Sequence, residues 1–228
     1  ADAKGFQMYT VKVGEVQQEF SIKNNSSNFY IDVIDGRQKL LIMYSGPHPD
    51  ISSLKFVADN NKNYEIELQK ESEVTSLENY DLVIAHNYQG VQAGIKKKLT
   101  DGVCPVLYIV GNGADFSVLN DLNIGFSGRR SDFEETSFKQ NTAFKEITLT
   151  PEIVNTFSDA PPLQSPFGTM TFSSAIDVMA YQQVGNIVLD KPMIYFVQKG
   201  SSRNGVIMGE GIWRWRLHDQ LKNNSTAN

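Results

Sequence analysis

An α/β fold with a mostly parallel central sheet, preceded by a few β-strands, is what this sequence predicts. Three observations predict it. Leu40–Tyr44, Leu82–Ala85 and Val106–Val110 are continuous apolar runs of strand length, as strands buried on both faces require. Helical patterns separate these runs, which implies right-handed crossovers. The first run is broken by Ser45-Gly46-Pro47-His48-Pro49-Asp50, a stiff loop that places His48 and Asp50 where open α/β sheets bind ligands.

Residues 7–13 alternate as a strand does, 18–22 do so more weakly, and 29–33 do so again. Asn24 to Asn28 forms the turn between the last two. Helical periodicity is absent from the first 35 residues. Three strands are too few for an independent core. Residues 1–35 are therefore expected to be a β-strand segment, either the remnant of an upstream domain or an extension of the main one. Residues 36–228 are the α/β domain.

After the Leu40 strand, Asp50 or Ser52 caps a helix running from about Ile51 to Asn60. Tyr64–Leu68 alternates, which suits a strand near a sheet edge. Ser76–Asn79 is a short turn or helix. Asp81–Asn87 is a buried strand with a polar end. Gln92–Asp101 is a helix with Ile95 and Leu99 inward, closed by Gly102. Pro105–Val110 leads through Gly111-Asn112-Gly113-Ala114-Asp115 into a helix over Phe116–Leu122. Past Gly125 the pattern weakens. Residues 127–141 read as polar and irregular, Glu146–Leu149 as a strand, Pro151 as a helix start, and Ala160–Gly168 as a loop. Asp177–Val184, Met193–Gln198 and Gly205–Gly209 are strands, with Asp190-Lys191-Pro192 as a turn. Glu210–Leu217 turns into a helix.

The chain has 228 residues, 40% hydrophobic and 21% charged, which is ordinary globular material. A formal net charge of −5 argues against nucleic acid, because phosphate binding needs clustered Lys and Arg. Lys96-Lys97-Lys98 reads as the solvated face of a helix. One cysteine excludes an internal disulfide and a Cys-rich zinc site. The sequence carries no apolar run of the roughly 20 residues that cross a membrane. Both ends look cut, so a soluble piece of a longer protein is expected.

The Gly111–Asp115 turn could bring backbone amides to an anion, or be a tight turn without a ligand. Its spacing is not that of a nucleotide-binding loop, and no cofactor is expected. A nucleophile elbow would occupy the same place, but Asn112, Gly113 and Ala114 are not nucleophiles. Cys104 lies at the far end of the strand, about 20 Å away, as a core or rim residue. His48, His86 and Asp50 are metal-ligating types, yet no local spacing supports a metal site, and none is expected. His218 reads as a surface residue. Trp213 and Trp215 stand about 200° apart on a helix. Trp213, Arg214, Trp215 and Arg216, with an arginine stacked on an indole or paired with Glu210, are either a helix start packed under the sheet edge or a docking surface.

Three stretches resemble a known group: Gly36–Leu41, Pro47–Ile51 with Leu54, and Gly209–Leu217. They are similar to uncharacterised bacterial membrane-anchored proteins whose C-terminal part looks like a class I glutamine amidotransferase. The resemblance covers roughly residues 30–221. It implies a flavodoxin-like three-layer sandwich, preceded by an immunoglobulin-like β domain whose last strands are residues 1–35. Amidotransferases of this class carry a cysteine elbow and a His-x-Glu pair. Here the elbow position has no cysteine, His48-Pro49-Asp50 follows the first strand instead of a late one, and no His-x-Glu occurs. No catalytic residue is transferred.

The expectation is a non-catalytic amidotransferase-like domain on the periplasmic side of a bacterial inner membrane. It would bind a protein partner of the envelope or a small ligand through His48, Asp50, Asn87, Asn112, Asp115, Glu210, Trp213 and Arg214. The alternative is a hydrolase or transferase with a site at the carboxyl ends of the central strands.

Overall fold

The structure, a computed structural model, describes residues 5–14, 25–33 and 36–223. The chain divides into two compact units, Ala1–Arg37 and Gln38–Asn228. In the first, β1 (Gly5–Lys12) and β2 (Ser26–Val33) pair antiparallel, with Gly5 opposite Val33 and Lys12 opposite Ser26. The strand expected over residues 18–22 lies outside the described residues.

The second unit is built on one nine-stranded sheet. Its first part contains β3 (Gln38–Tyr44), α1 (Pro49–Asp59), β4 (Tyr64–Lys70), β5 (Leu82–His86), α2 (Ala93–Asp101), β6 (Val106–Ile109) and α3 (Phe116–Leu122). Then come β7 (Phe126–Gln140), α4 (Pro151–Asp159), β8 (Leu163–Phe172), β9 (Ile176–Val184), β10 (Ile187–Lys199), β11 (Ser202–Ile207) and α5 (Ile212–Asn223). The order across the sheet is β4-β3-β5-β6-β11-β10-β9-β7-β8. β4, β3, β5, β6 and β11 are joined in parallel, and β10, β9, β7 and β8 continue the sheet antiparallel.

The three apolar runs are adjacent parallel strands because both faces are covered. Leu41, Met43, Val83, Ala85, Val106 and Tyr108 join Ile95, Leu99, Leu119 and Leu122 of α2 and α3 in one core. On the opposite face Ile42, Ile84 and Ile109 meet Ile51 of α1, with Ile212 of α5 packed beside them. Such buried pleats need apolar residues at every position, which is the pattern the runs show. Gly102 closes α2 with φ 70°, in the left-handed region that glycine enters freely.

The expected flavodoxin-like, mostly parallel three-layer sandwich is corrected by this sheet. Among the described residues strand dominates, with eleven strands against five α-helices, and the nine-stranded sheet is mixed. The amidotransferase-like expectation tied to that architecture goes with it. The second half of the chain caused the error. Residues 127–141, read as irregular, lie almost wholly in β7, whose faces are mostly polar and exposed and so leave no apolar alternation to detect. Pro166 and Gly168 suggested a loop, but β8 is the edge strand, where a missing N–H donor is tolerated. Asp190-Lys191-Pro192 is not a turn. It lies within β10, at register shifts against β9. Glu146–Leu149 forms no strand.

Candidate functional site

The loop after β3 begins the site. His48, not Asp50 or Ser52, is the N-cap of α1: its backbone is extended, and its Nδ1 accepts the Asp50 amide at 3.2 Å. Pro49 follows at the first helical position, where its missing N–H costs nothing. This starts α1 two residues earlier than the sequence reading and carries the Asp50 side chain inward, where it is fully buried.

Asp50 ties three elements together. Its Oδ1 accepts the Trp213 amide and its Oδ2 the Gly211 amide, both at 2.8 Å. His86, the last residue of β5, sets its Nε2 3.3 Å from Oδ2. Trp213 N–H is one of the amides left open at the start of α5, so one carboxylate serves the amino ends of two helices. Burial pushes the Asp50 pKa up, but the bonds from His86, Gly211 and Trp213 and the nearby His48 outweigh it, and the group is held below the ordinary range.

Glu210, the residue before Gly211, forms the second half of the cluster. Its backbone exchanges both hydrogen bonds with Gln164 of β8, at 2.9 and 3.0 Å. Its Oε2 accepts from Asn87 Nδ2 at 2.6 Å and lies 3.6 Å from His48 Nε2. Asn87 holds a left-handed backbone, φ 52°, which Asn tolerates better than most residues. Its Oδ1 takes the Gly111 amide at 2.7 Å. The Glu210 side chain sits on Gly111 so closely that a Cβ there would stand 2.2 Å from Oε2. The His48 and His86 rings lie 4.6 Å apart. Burial draws the His48 pKa down, against the pull of Asp50 and Glu210.

The cluster opens into a pocket of about 210 Å³ lined by His48, Gln164, Glu210, Gly211, Trp213 and Arg214. Trp213 is exposed at its rim. Arg214 packs on Gly211 and pairs with Glu135 at 3.0 Å. Trp215 points elsewhere, donating its indole N–H to the Pro161 carbonyl at 2.6 Å and meeting Phe157 edge-on.

Six of the eight expected residues therefore converge: His48, Asp50, Asn87, Glu210, Trp213 and Arg214. Asn112 and Asp115 do not join them. They line a separate cleft of about 940 Å³ with Arg129 and Arg130. There Arg130 Nη1 donates to the Asn112 carbonyl at 2.5 Å. Asp115 is the N-cap of α3, and the Ser117 hydroxyl and Val118 amide hold its pKa below the ordinary range. Gln164 was missed, because it lies in the stretch read as a loop. The contact of Gly111 with Glu210 has no local signal, being made across 99 residues of chain.

No protein-family model matches the chain, and no curated protein matches it. Solved structures do. A cytoplasmic protein of Salmonella typhimurium LT2 is 12% identical with a TM-score of 0.53, covering 98% of this chain and 94% of that one. An exo-beta-1,4-mannosidase of Opitutaceae bacterium strain TAV5 is 8% identical with a TM-score of 0.51, covering 82% of this chain and 34% of its own. A beta-galactosidase of Rahnella sp. R3 is 11% identical with a TM-score of 0.50, covering 82% and 31%. The chain thus spans about a third of the length of the glycosidases it matches. At these identities the likeness concerns the fold alone.

Proposed function

We propose that residues 38–228 form a non-catalytic binding domain of a bacterial envelope protein, which takes a protein partner or a small ligand at the carboxyl ends of β3 and β5. The observation that carries this reading is the seating of Glu210 on Gly111, which fills the strand-end turn where a reacting side chain would stand. Asp50 is fully buried and both its oxygens accept backbone amides, which supports a structural carboxylate over one that reaches a substrate. Cys104 is buried, precedes β6 at the opposite strand end, and has its thiol pushed up to about 11 by burial. The pocket rim offers Trp213 and Arg214, residue types that anchor interfaces.

The envelope setting rests on the resemblance carried by Pro47–Ile51 and Gly209–Leu217. Among the described residues no helix is long and apolar enough to cross a membrane. Membrane attachment, in this reading, belongs to other segments of the protein.

The test is twofold. Glutamine and chromogenic ester, phosphate and glycoside substrates are expected to show no turnover. Wild-type turnover that disappears in Glu210→Gln would overturn the reading. Cross-linking in an envelope extract is expected to give an adduct that Trp213→Ala and Arg214→Ala each weaken at least tenfold. An adduct of equal yield in all three proteins would move the binding surface elsewhere.

A further inference from the structure

We infer that His48, His86 and Glu210 bind one divalent transition-metal ion of the zinc type. The inference rests on the binding reading above and names the chemical class of a ligand for the same site. Each of the three residues offers one ligand atom, and these atoms lie within 4.8 Å of one another. Ligands about 2.0–2.2 Å from a tetrahedral zinc ion stand roughly 3.3–3.6 Å apart. His48 Nε2 and Glu210 Oε2, 3.6 Å apart, already meet that spacing. Two imidazoles and a carboxylate form a borderline donor set that suits zinc, cobalt or nickel better than calcium or magnesium.

The surroundings support a cation independently of the donor count. Among the described residues, the only basic groups within 4.0 Å of the Asp50 and Glu210 carboxylates are these imidazoles. Asp50 is compensated by two backbone amides and His86, whereas Glu210 faces the Asn87 amide and the His48 imidazole, and a cation beside it would offset the burial of its charge. Asp50 also provides the outer carboxylate that metal-ligating histidines characteristically face. It stands 3.5 Å from Nδ1 of His48, the nitrogen turned away from Glu210.

Binding at His48 Nε2 requires the ring proton on Nδ1. The proton then points to Asp50 Oδ2, and the Asp50 amide gives up its present bond to that nitrogen. No net proton is gained or lost in this tautomer change. The pocket beside Trp213 and Arg214, which His48 and Glu210 line, offers the ion a path from solvent to these two ligands.

The test uses the 228-residue protein after chelator treatment and desalting. Zn²⁺ is titrated calorimetrically, and Co²⁺ is followed by its visible absorption. The expected result is one ion per chain, with Co²⁺ bands that Zn²⁺ displaces. His48→Ala changes a half-buried residue, and Glu210→Gln is nearly isosteric. Each is expected to weaken Zn²⁺ binding at least about tenfold, with circular dichroism confirming the fold. If Glu210→Gln does not fold, His48→Ala decides alone. A wild type that binds no Zn²⁺, or a His48→Ala variant with undiminished affinity and unchanged Co²⁺ bands, overturns the inference. The two readings fail separately. A protein without metal and without turnover loses only the metal site. One that binds zinc and turns over a substrate keeps the site and loses the non-catalytic reading.

Discussion

Asp50 and Glu71 are both buried acids gripped by backbone amides, yet Asp50 is held below the ordinary aspartate range while Glu71 is pushed up to about 7. Glu71 is 5% exposed and Asp50 fully buried, so depth alone would raise Asp50 the more. The partners decide instead. Glu71 lies in the short 3₁₀ turn after β4, and among the described residues its carboxylate accepts the Gln89 and Gly90 amides alone, at 3.0–3.1 Å. Asp50 adds the His86 imidazole and the open amide of a helix amino end, where the dipole favours an anion. Loop amides alone do not offset the loss of water around a carboxylate, whereas amides with imidazoles and a helix terminus do.

The comparison breaks most clearly at Asp50. Asp50→Asn keeps one acceptor oxygen and replaces the other with a donor that faces an amide and an imidazole. Buried donors are then left without partners, and α5 loses its tie to β5. The expected cost is about 3 kcal/mol, the lower end for breaking a buried charged interaction. Urea unfolding at pH 7 measures it. A loss below about 1 kcal/mol would show that the cluster is not what holds these elements together.

Glu71 offers the opposite sign. Its folded pKa, about 7, lies above its ordinary value of 4.5. Between those values the unfolded chain has released the proton while the folded chain still binds it, so the folded state loses stability as pH rises through the window. Glu71→Gln removes that dependence. Between pH 5 and pH 8 the wild type should lose roughly 2–3 kcal/mol relative to this variant, from the size of the shift. His48, with a lowered pKa, pulls the other way below about 6.5 in both proteins, so the difference between them isolates Glu71. Parallel stability curves for the two proteins would mean that the Gln89 and Gly90 amides suffice to keep Glu71 ionised.

The legibility of the sequence follows the same contrast between local and distant partners. Leu40–Tyr44, Leu82–Ala85 and Val106–Val110 announce themselves because burial on both faces leaves no polar position. β7 and β8 do not. Their partners are each other and β9, one face stays wet, and Pro166 on the edge strand carries the local sign of a loop. Reading them as irregular hid four antiparallel strands behind two and led to the wrong fold class. The site was half legible. His48 and Asp50 stand where the Pro-His-Pro-Asp loop puts them, and Glu210, Trp213 and Arg214 share a motif that falls opposite. That the two segments meet is a contact across more than 160 residues, between Asp50 and Trp213, and no local pattern encodes it. Asn112 and Asp115 were grouped with them because a strand-to-helix turn looks the same whether it serves a ligand or caps its own helix.

Cys104 extends the comparison to an acid surrounded by core rather than by donors. Its thiol is pushed from 9.0 to about 11, by burial first and then by Glu78. Among the three acids it has the least polar setting, packed in the core cluster of β5, β6 and the helices that cover them. Its proton is held in both folded and unfolded chains below about pH 8, so it should contribute no pH dependence there. Cys104→Ser is expected to cost about 1 kcal/mol for burying a hydroxyl in place of sulfur, by the same amount at pH 5 and pH 8. Above pH 9 the unfolded thiol ionises before the folded one. The wild type should therefore lose stability relative to Cys104→Ser between pH 9.0 and about 11, the two ends of the shift. In the folded protein the thiol should resist iodoacetamide at neutral pH and react only after unfolding. Rapid alkylation of the native protein, or glutamine turnover that Cys104→Ser abolishes, would show a reactive thiolate where burial predicts an inert one.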